Sequence, residues 1–210
     1  MHNQIWHLTP LLHLTRKHNM GKLVRSFGLA LIVALTFLLP VIAGELGDKL
    51  QRTDQVLLMR HALAPGIGDP SGYQLNDCST QRNLNQVGAT QAARIGGWLK
   101  QQGVANAEVF SSPWCRCLDT ARLLKVGPVT PERSLGSFFN QATDGQAATR
   151  ELQQFIARTK ARIDKKPLLL VTHHVNIQAY IGENVDSGDM VLARIDSAGK
   201  VLSYQRYASP

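Results

Sequence analysis

The chain has 210 residues, 44% of them hydrophobic and 18% charged, which suffices for one domain with a substantial core. Its formal net charge is +8, but residues 1–43 hold four basic residues and no acidic one, so the remainder carries only +4. That remainder has no run of Lys and Arg. This argues against a nucleic-acid surface and leaves attraction of small anions open.

The first predicted element is a targeting segment. Residues 27–39 are uncharged and mostly apolar; Lys22 and Arg25 precede them, and small residues up to Ala43 follow. This order is typical of a secretory signal peptide that is cleaved after Ala43. An uncleaved membrane anchor and a buried core helix are the alternatives, and Met20 is an alternative start.

We therefore treat residues 1–43 as a signal peptide or anchor and residues 44–210 as the folded domain. The domain is expected to be periplasmic or otherwise exported. Contact with a membrane is expected only through the N-terminal segment, if that segment stays uncleaved.

Apolar strand-like runs alternate with helical patterns through the rest of the chain. Strands are predicted at 55–59, 108–111 and 168–171, helices at 85–102, 113–124 and 147–163, and a closing hairpin at 190–195 and 201–207. This alternation predicts an α/β fold with a mostly parallel sheet covered by helices on both faces. Ligands of such sheets bind beyond the carboxyl ends of the strands.

Finer expectations attach to these elements. Residues 64–72 are dense in Gly and Pro and predict a loop, and residues 128–144 look irregular. Ser112 is placed as N-cap of the second helix, with Pro113 in its first turn. The positions expected to be buried are Val87, Ala92, Ile95 and Leu99 in the first helix and Leu152, Phe155, Ile156 and Ile163 in the third.

Three cysteines, Cys78, Cys115 and Cys117, would meet an oxidising compartment if the domain is exported. An odd number allows at most one internal pair. Cys115 and Cys117 point to different sides of a helix, so Cys78 can pair with one of them, and we favour Cys115. Three buried thiols are the alternative, whereas a zinc site lacks a second pair of ligands.

Chemistry-bearing residues collect at the ends of the predicted strands. Arg60 and His61 follow the first strand, Arg116 lies in the first turn of the helix after the second, and His173 and His174 follow the third. Arginine offers a planar fork of donors matched to phosphate, and a helix N-terminus adds free N–H groups. A neutral imidazole in such a pocket can attack phosphorus and hold the phosphoryl group covalently.

At these residues the chain resembles the histidine phosphatase superfamily, branch 1, the phosphoglycerate mutase-like group. The resemblance rests on Leu58–Ala62, Ser111–Ala121 and Val171–His173, and on the stretch from Arg82 to Gly88. The resemblance covers roughly residues 54–196. Export and the sequence from Thr172 to Asn176 further resemble the periplasmic group that includes lipopolysaccharide core heptose phosphatase.

The resemblance implies a three-layer α/β/α fold, phosphoglycerate mutase-like, and a role for each motif residue. His61 would be the nucleophile that becomes phosphohistidine, and Arg60, Arg116 and His173 would bind the phosphoryl oxygens. No metal and no cofactor is implied. The partner would be a phosphorylated small molecule or phospho-glycan, with no nucleic acid involved.

The proton donor for the leaving group is not identified by the motifs. Asp69 and Asp77 lie in the loop after His61, and Asp144 lies in the irregular segment after the Arg116 helix. Asp69, Asp144 and His174 are kept as candidate substrate-binding residues. Some relatives act on substrates with good leaving groups and use no acid.

Three functions fit these residues. The main one is an exported, metal-independent phosphatase that hydrolyses phosphomonoesters or phosphoramidates through His61. A non-catalytic envelope protein that binds phosphorylated ligands is the alternative of a different class. A mutase is the third, and the export signal argues against it. Specificity in such folds comes from loops, and residues 64–80 and 128–146 show no readable preference.

Overall fold

The computed structural model describes residues 44–139, 145–163 and 165–210. The targeting segment predicted at residues 1–43 lies outside the described residues, so it and the boundary at residue 44 stay predictions. Within the described ranges, no helix combines the length and the apolar character needed to cross a bilayer.

A six-stranded sheet forms the centre of the domain, in the order β3-β2-β4-β1-β5-β6. Its strands are β1 (Gln55–Arg60), β2 (Glu108–Ser111), β3 (Val129–Pro131), β4 (Leu168–Thr172), β5 (Met190–Ile195) and β6 (Val201–Tyr207). The first four are mutually parallel, and the closing hairpin adds β5 and β6 antiparallel at one side. Because β1 and β4 pair in register up to Arg60 and Thr172, both strands end at the same edge.

Helices cover both faces of this sheet. They are α1 (Glu45–Leu50), α2 (Gln86–Gln101), α3 (Cys115–Leu124), α4 (Gly145–Arg162) and α5 (His174–Ile181). Side chains alternate along β1, so Leu57 and Met59 join the core cluster beneath α2 and α3, whereas Val56 and Leu58 join the one beneath α4 and α5. The predicted three-layer α/β/α fold is confirmed.

Some local expectations were wrong. Val87 is 61% exposed, because the buried face of α2 runs through Gly88, Ala92, Ile95 and Leu99. Gly88 is required there, since a Cβ would collide with the backbone carbonyl of Leu63.

The segment after α3 is more ordered than its sequence indicates. It contains the edge strand β3 and a 3-10 turn at Arg133–Leu135, whereas 140–144 lie outside the described residues. An edge strand needs hydrogen bonds from one neighbour only, so three residues of weak strand character suffice when β2 supplies the pairing. Ile163, expected to be buried, is only partly so, because it follows the last turn of α4.

A disulfide joins Cys78 to Cys115, the pair that the sequence favoured, and Cys117 remains a free buried thiol. Cys78 lies in a short 3-10 turn of the loop after β1, and Cys115 is the first residue of α3. The bond therefore ties the long loop after His61 to the start of the helix that carries Arg116.

Removing this bond should lower stability substantially. Replacing both Cys78 and Cys115 by alanine should reduce the free energy of unfolding by about 3–4 kcal/mol, because the closed loop spans 37 residues and its entropy returns to the unfolded chain. Urea unfolding of the oxidised protein and the double variant measures the difference. A reducing agent should lower the free energy of unfolding of the parent but not that of the variant. An equal decrease in the variant would contradict this explanation.

Candidate active site

Two histidines meet where β1 and β4 end. His61 directly follows β1, and its backbone N–H donates to the carbonyl of Thr172, the last residue of β4, at 2.9 Å. His173 directly follows Thr172. The two imidazole rings lie edge to face with centroids 5.5 Å apart, and both side chains are buried. The register of two parallel strands thus places residues more than a hundred positions apart in one site.

The orientation of His61 assigns a role to each ring nitrogen. Nδ1 lies 2.8 Å from the backbone oxygen of Ala62, which can only accept, so Nδ1 carries the proton and Nε2 keeps its lone pair. The Ala62 N–H in turn donates to Oγ1 of Thr120 at 3.0 Å, and that hydroxyl donates to the carbonyl of Arg116. Thr120, in the second motif, therefore holds the loop that orients the imidazole.

Electrostatics keep this imidazole neutral. Burial lowers the pKa of His61 from 6.5 to about 3, and the positive charges of Arg116, Arg60 and Arg82 act in the same direction. Burial also lowers the pKa of His173, again with Arg116 nearby. A neutral imidazole with a free Nε2 is the form that can act as a nucleophile.

The depressed pKa of His61 predicts a pH dependence of stability. In the unfolded state His61 takes up a proton near pH 6.5, but in the folded state only near pH 3. The free energy of unfolding is therefore unaffected by this group above pH 6.5 and decreases as the pH falls from 6.5 towards 3. Urea unfolding between pH 7 and pH 4 should show a steeper decline for the parent than for His61→Gln. Equal slopes would show that His61 is charged in the folded protein.

The imidazole of His173 contacts two side chains of the second motif. Oγ of Ser112 lies 2.8 Å from Nε2 of His173, and Sγ of Cys117 lies 3.5 Å from the same nitrogen. The prediction that Ser112 caps the helix was wrong: the cap position of α3 is Trp114, and the serine hydroxyl serves His173. Burial raises the pKa of the Cys117 thiol to about 12, so Cys117 packs against the imidazole as a neutral group.

Three arginines, Arg60, Arg82 and Arg116, line the pocket above these histidines. Arg60 donates from Nη1 to the carbonyl of Val185 at 2.8 Å. Arg82 donates from Nε to Gly68 and from Nη1 to the carbonyl of Ala64, and so braces the loop after β1. The pocket therefore concentrates positive charge beside His61.

Arg116 is paired with Asp69. Its Nη1 and Nη2 lie 2.7 and 3.1 Å from the two carboxylate oxygens, and both side chains are almost fully buried. Asp69 also accepts from the indole N–H of Trp114 and the backbone N–H of Arg82. Such a bidentate pair fixes the plane of the guanidinium group, and the carboxylate offsets part of the positive charge of that group.

The three candidate proton donors differ in their environments. Burial alone would raise the pKa of Asp69, but hydrogen bonds from Arg116 and the Arg82 N–H lower it below its ordinary value, so Asp69 is ionised and does not hold a proton for a leaving group. Asp77 is exposed and accepts from the backbone N–H of Ser79 in a surface turn. Asp144 lies outside the described residues.

The pocket has a volume of about 650 Å³. The structure brings six of the predicted site residues to it: Arg60, His61, Asp69, Arg116, His173 and His174. His174, whose orientation the sequence left open, lines the pocket and packs its ring against Phe139. Among the described residues, no three His, Cys, Asp or Glu side chains are grouped as metal ligands would be.

Sequence reasoning missed the position of Arg82. Arg82 belongs to the motif before the first long helix, which by itself implies no role for its side chain. A basic residue in an otherwise uncharged stretch before that helix was the available signal. What places Arg82 at the site is the path of the loop, which brings its backbone N–H to 3.0 Å from Asp69.

Fold and pocket together define an α/β protein with an arginine-lined pocket built around a buried histidine. The family model of the histidine phosphatase superfamily (branch 1) matches residues 56–136, which include Arg82, the Arg116 helix and all but the first residue of β1. The predicted resemblance to this superfamily is confirmed by that match over those residues. The solved structures confirm the phosphoglycerate mutase-like fold. The comparison with curated proteins found no match.

Solved structures share this fold at low sequence identity. The protein histidine phosphatase SixA complexed with tungstate is 18% identical, with a TM-score of 0.52 over 74% of this chain and 97% of that one. Phosphoserine phosphatase from Entamoeba histolytica is 14% identical, with a TM-score of 0.51 over 71% and 95%. A mycobacterial glucosyl-3-phosphoglycerate phosphatase is 14% identical, with a TM-score of 0.51 over 75% and 100%.

Proposed function

We propose that the protein is a phosphatase that cleaves phosphomonoesters or phosphoramidates through a phosphohistidine on His61. The observation that carries the proposal is the orientation of this ring, with Nδ1 bound to the Ala62 carbonyl and Nε2 free in a pocket lined by three arginines. The match of residues 56–136 to the superfamily's family model supports it, as do the three structural neighbours, all named as phosphatases.

The geometry suggests the following reaction. Nε2 of His61 attacks phosphorus and the bond to the leaving group breaks; the leaving group keeps the electron pair and takes its proton from solvent. Nδ1–H stays bound to the Ala62 carbonyl, which stabilises the positively charged ring of the phosphohistidine. The arginines and His173 stabilise charge on the phosphoryl oxygens. Water then attacks phosphorus, which releases phosphate and restores neutral His61.

The state of Asp69 favours substrates with good leaving groups. It is the only carboxylate among the pocket-lining residues in the described part of the chain, and Arg116 keeps it ionised. Without a protonated carboxyl to assist departure, aryl phosphates and phosphoramidates should react faster than alkyl esters.

Purified protein tests this function. We expect hydrolysis of 4-nitrophenyl phosphate and phosphoramidate, inhibition by vanadate, no effect of a metal chelator, and an acid-labile phosphoenzyme after rapid quenching. Binding of phosphate without turnover on either compound would instead favour the non-catalytic binder. One feature of the site supports that alternative: Asp69 is paired with Arg116 and is therefore not a proton donor for a leaving group.

We also propose that the protein acts outside the cytoplasm. The disulfide between Cys78 and Cys115 supports this, because such bonds persist in oxidising compartments, and the apolar segment at 27–39 would direct export. Fractionation of expressing cells and N-terminal sequencing provide the test. A mature chain that begins at Gly44 would support cleavage, whereas cytoplasmic, reduced protein would contradict export.

A further inference from the structure

The pocket is much larger than a phosphoryl group requires. Its volume of about 650 Å³ lies in the range of sites that enclose a whole small molecule. The part of the pocket away from His61 must therefore accommodate the leaving group, and the side chains there determine which leaving groups fit.

The charged residues of the pocket are concentrated around the phosphoryl position. Among its described lining residues the charged groups are Arg60, Arg82, Arg116 and Asp69. Arg116 is bound to Asp69, Arg82 donates to the carbonyl of Gly68, and Arg60 donates to the carbonyl of Val185. All three guanidinium groups lie close enough to His61 to lower the pKa of its imidazole. Apart from these four residues and the histidines, the described lining residues are uncharged, so none of them provides a cation for a second anionic group on the substrate.

Two of the described lining residues at the mouth of the pocket are apolar. Ile67 is 89% exposed and Phe139 is 43% exposed, whereas His61 is only 1% exposed, so this gradient places the two apolar side chains at the entrance. A Cβ on Gly68, the neighbour of Ile67, would lie 3.9 Å from the Phe139 ring, which shows that the two sides approach each other. Tyr73 and Trp114 add aromatic surface deeper in the pocket.

The backbone around Ile67 sets its exposed position. Gly66 and Gly68 both have positive φ angles, 94° and 67°, a backbone conformation that residues other than glycine rarely adopt. The turn they form projects isoleucine outward. Single exposed apolar residues need no explanation, but two that face one pocket mouth form a surface for an apolar ligand.

We propose that the substrate's leaving group is neutral and apolar, and that Ile67 and Phe139 select it. This rests on the proposed phosphatase function of the same site. The leaving group would enter between these two side chains and pack on Tyr73 and Trp114 while its phosphoryl group reaches His61.

Matched aryl phosphates test the proposal. 2-Naphthyl and phenyl phosphate differ in apolar area much more than in leaving-group acidity, so kcat/KM for naphthyl should be at least about tenfold higher. A charged ring, in 4-carboxyphenyl phosphate, should be disfavoured by a similar factor. In the double variant Ile67→Ser, Phe139→Ser the naphthyl-to-phenyl ratio should fall to near one, whereas Leu202→Ser, an exposed apolar residue on β6 outside this pocket, should keep the parent ratio.

Direct binding separates this proposal from the function on which it rests. Dissociation constants of 2-naphthyl and phenyl phosphonate, which are not hydrolysed, should show the same tenfold preference in the parent and lose it in the double variant. Absence of turnover with this preference intact would overturn the phosphatase and leave the apolar site standing. Turnover or binding without the preference, or with a preference that the double variant retains, would overturn the proposal made here.

Discussion

Replacing His61 by alanine should lower kcat/KM for 4-nitrophenyl phosphate by about 10⁴-fold or more. The variant removes the only imidazole whose Nδ1 is fixed by a neighbouring carbonyl and whose Nε2 is free in the described pocket, and with it the covalent route. The phosphoenzyme label should vanish with the activity. Because the truncation leaves space for a small nucleophile, added imidazole should restore part of the turnover.

His174→Ala provides the matched comparison. His174 lines the same pocket but is half-buried and packs against Phe139, so its loss should reduce activity by less than about tenfold. A His61→Ala variant that kept more than about one per cent of the parent activity and still formed a phosphoenzyme would place the nucleophile elsewhere.

The second large effect concerns stability. Arg116→Ala should reduce the free energy of unfolding by about 3–5 kcal/mol, because it leaves the Asp69 carboxylate buried without its ion-pair partner. Urea unfolding with the disulfide intact measures this. The variant should also lose activity, since the loop that carries Asp69 forms one wall of the pocket.

The chain contains a natural control for this prediction. Arg122 lies on the same helix and pairs with Asp119 at 3.3 Å, but both side chains are exposed. Arg122→Ala should therefore cost less than about 1 kcal/mol. If Arg116→Ala cost no more than Arg122→Ala, the buried pair would contribute nothing specific. A double variant that also carries Asp69→Asn should recover part of the loss, because it removes the unpaired charge.

The same pair explains why the proton donor could not be assigned from sequence. Asp69, Asp77 and Asp144 are equivalent in a linear reading, each a carboxylate in an irregular segment. Folding makes Asp69 the buried partner of Arg116 and leaves Asp77 on the surface. The difference arises from contacts across 47 residues, which no local pattern encodes.

Similar reasoning accounts for Ser112. A serine before proline at the start of a helical pattern is a strong N-cap signal, and the prediction followed it. In the structure the hydroxyl lies 2.8 Å from a histidine 61 residues further along the chain. The Ser112 hydroxyl therefore does not cap the helix, because its buried oxygen is hydrogen-bonded to His173 instead.

The sequence by itself determined the elements and the edge at which they meet. Buried strand cores, helix periodicity and the closing hairpin depend on local patterns of apolar residues, and parallel strands bring Arg60, His61, Arg116 and His173 to one side. Only the tertiary structure decided how the long loop after β1 crosses that edge. That path adds Arg82 to the pocket, pairs Arg116 with Asp69 and sets Ile67 at the mouth, because contacts between distant segments depend on packing rather than on local composition.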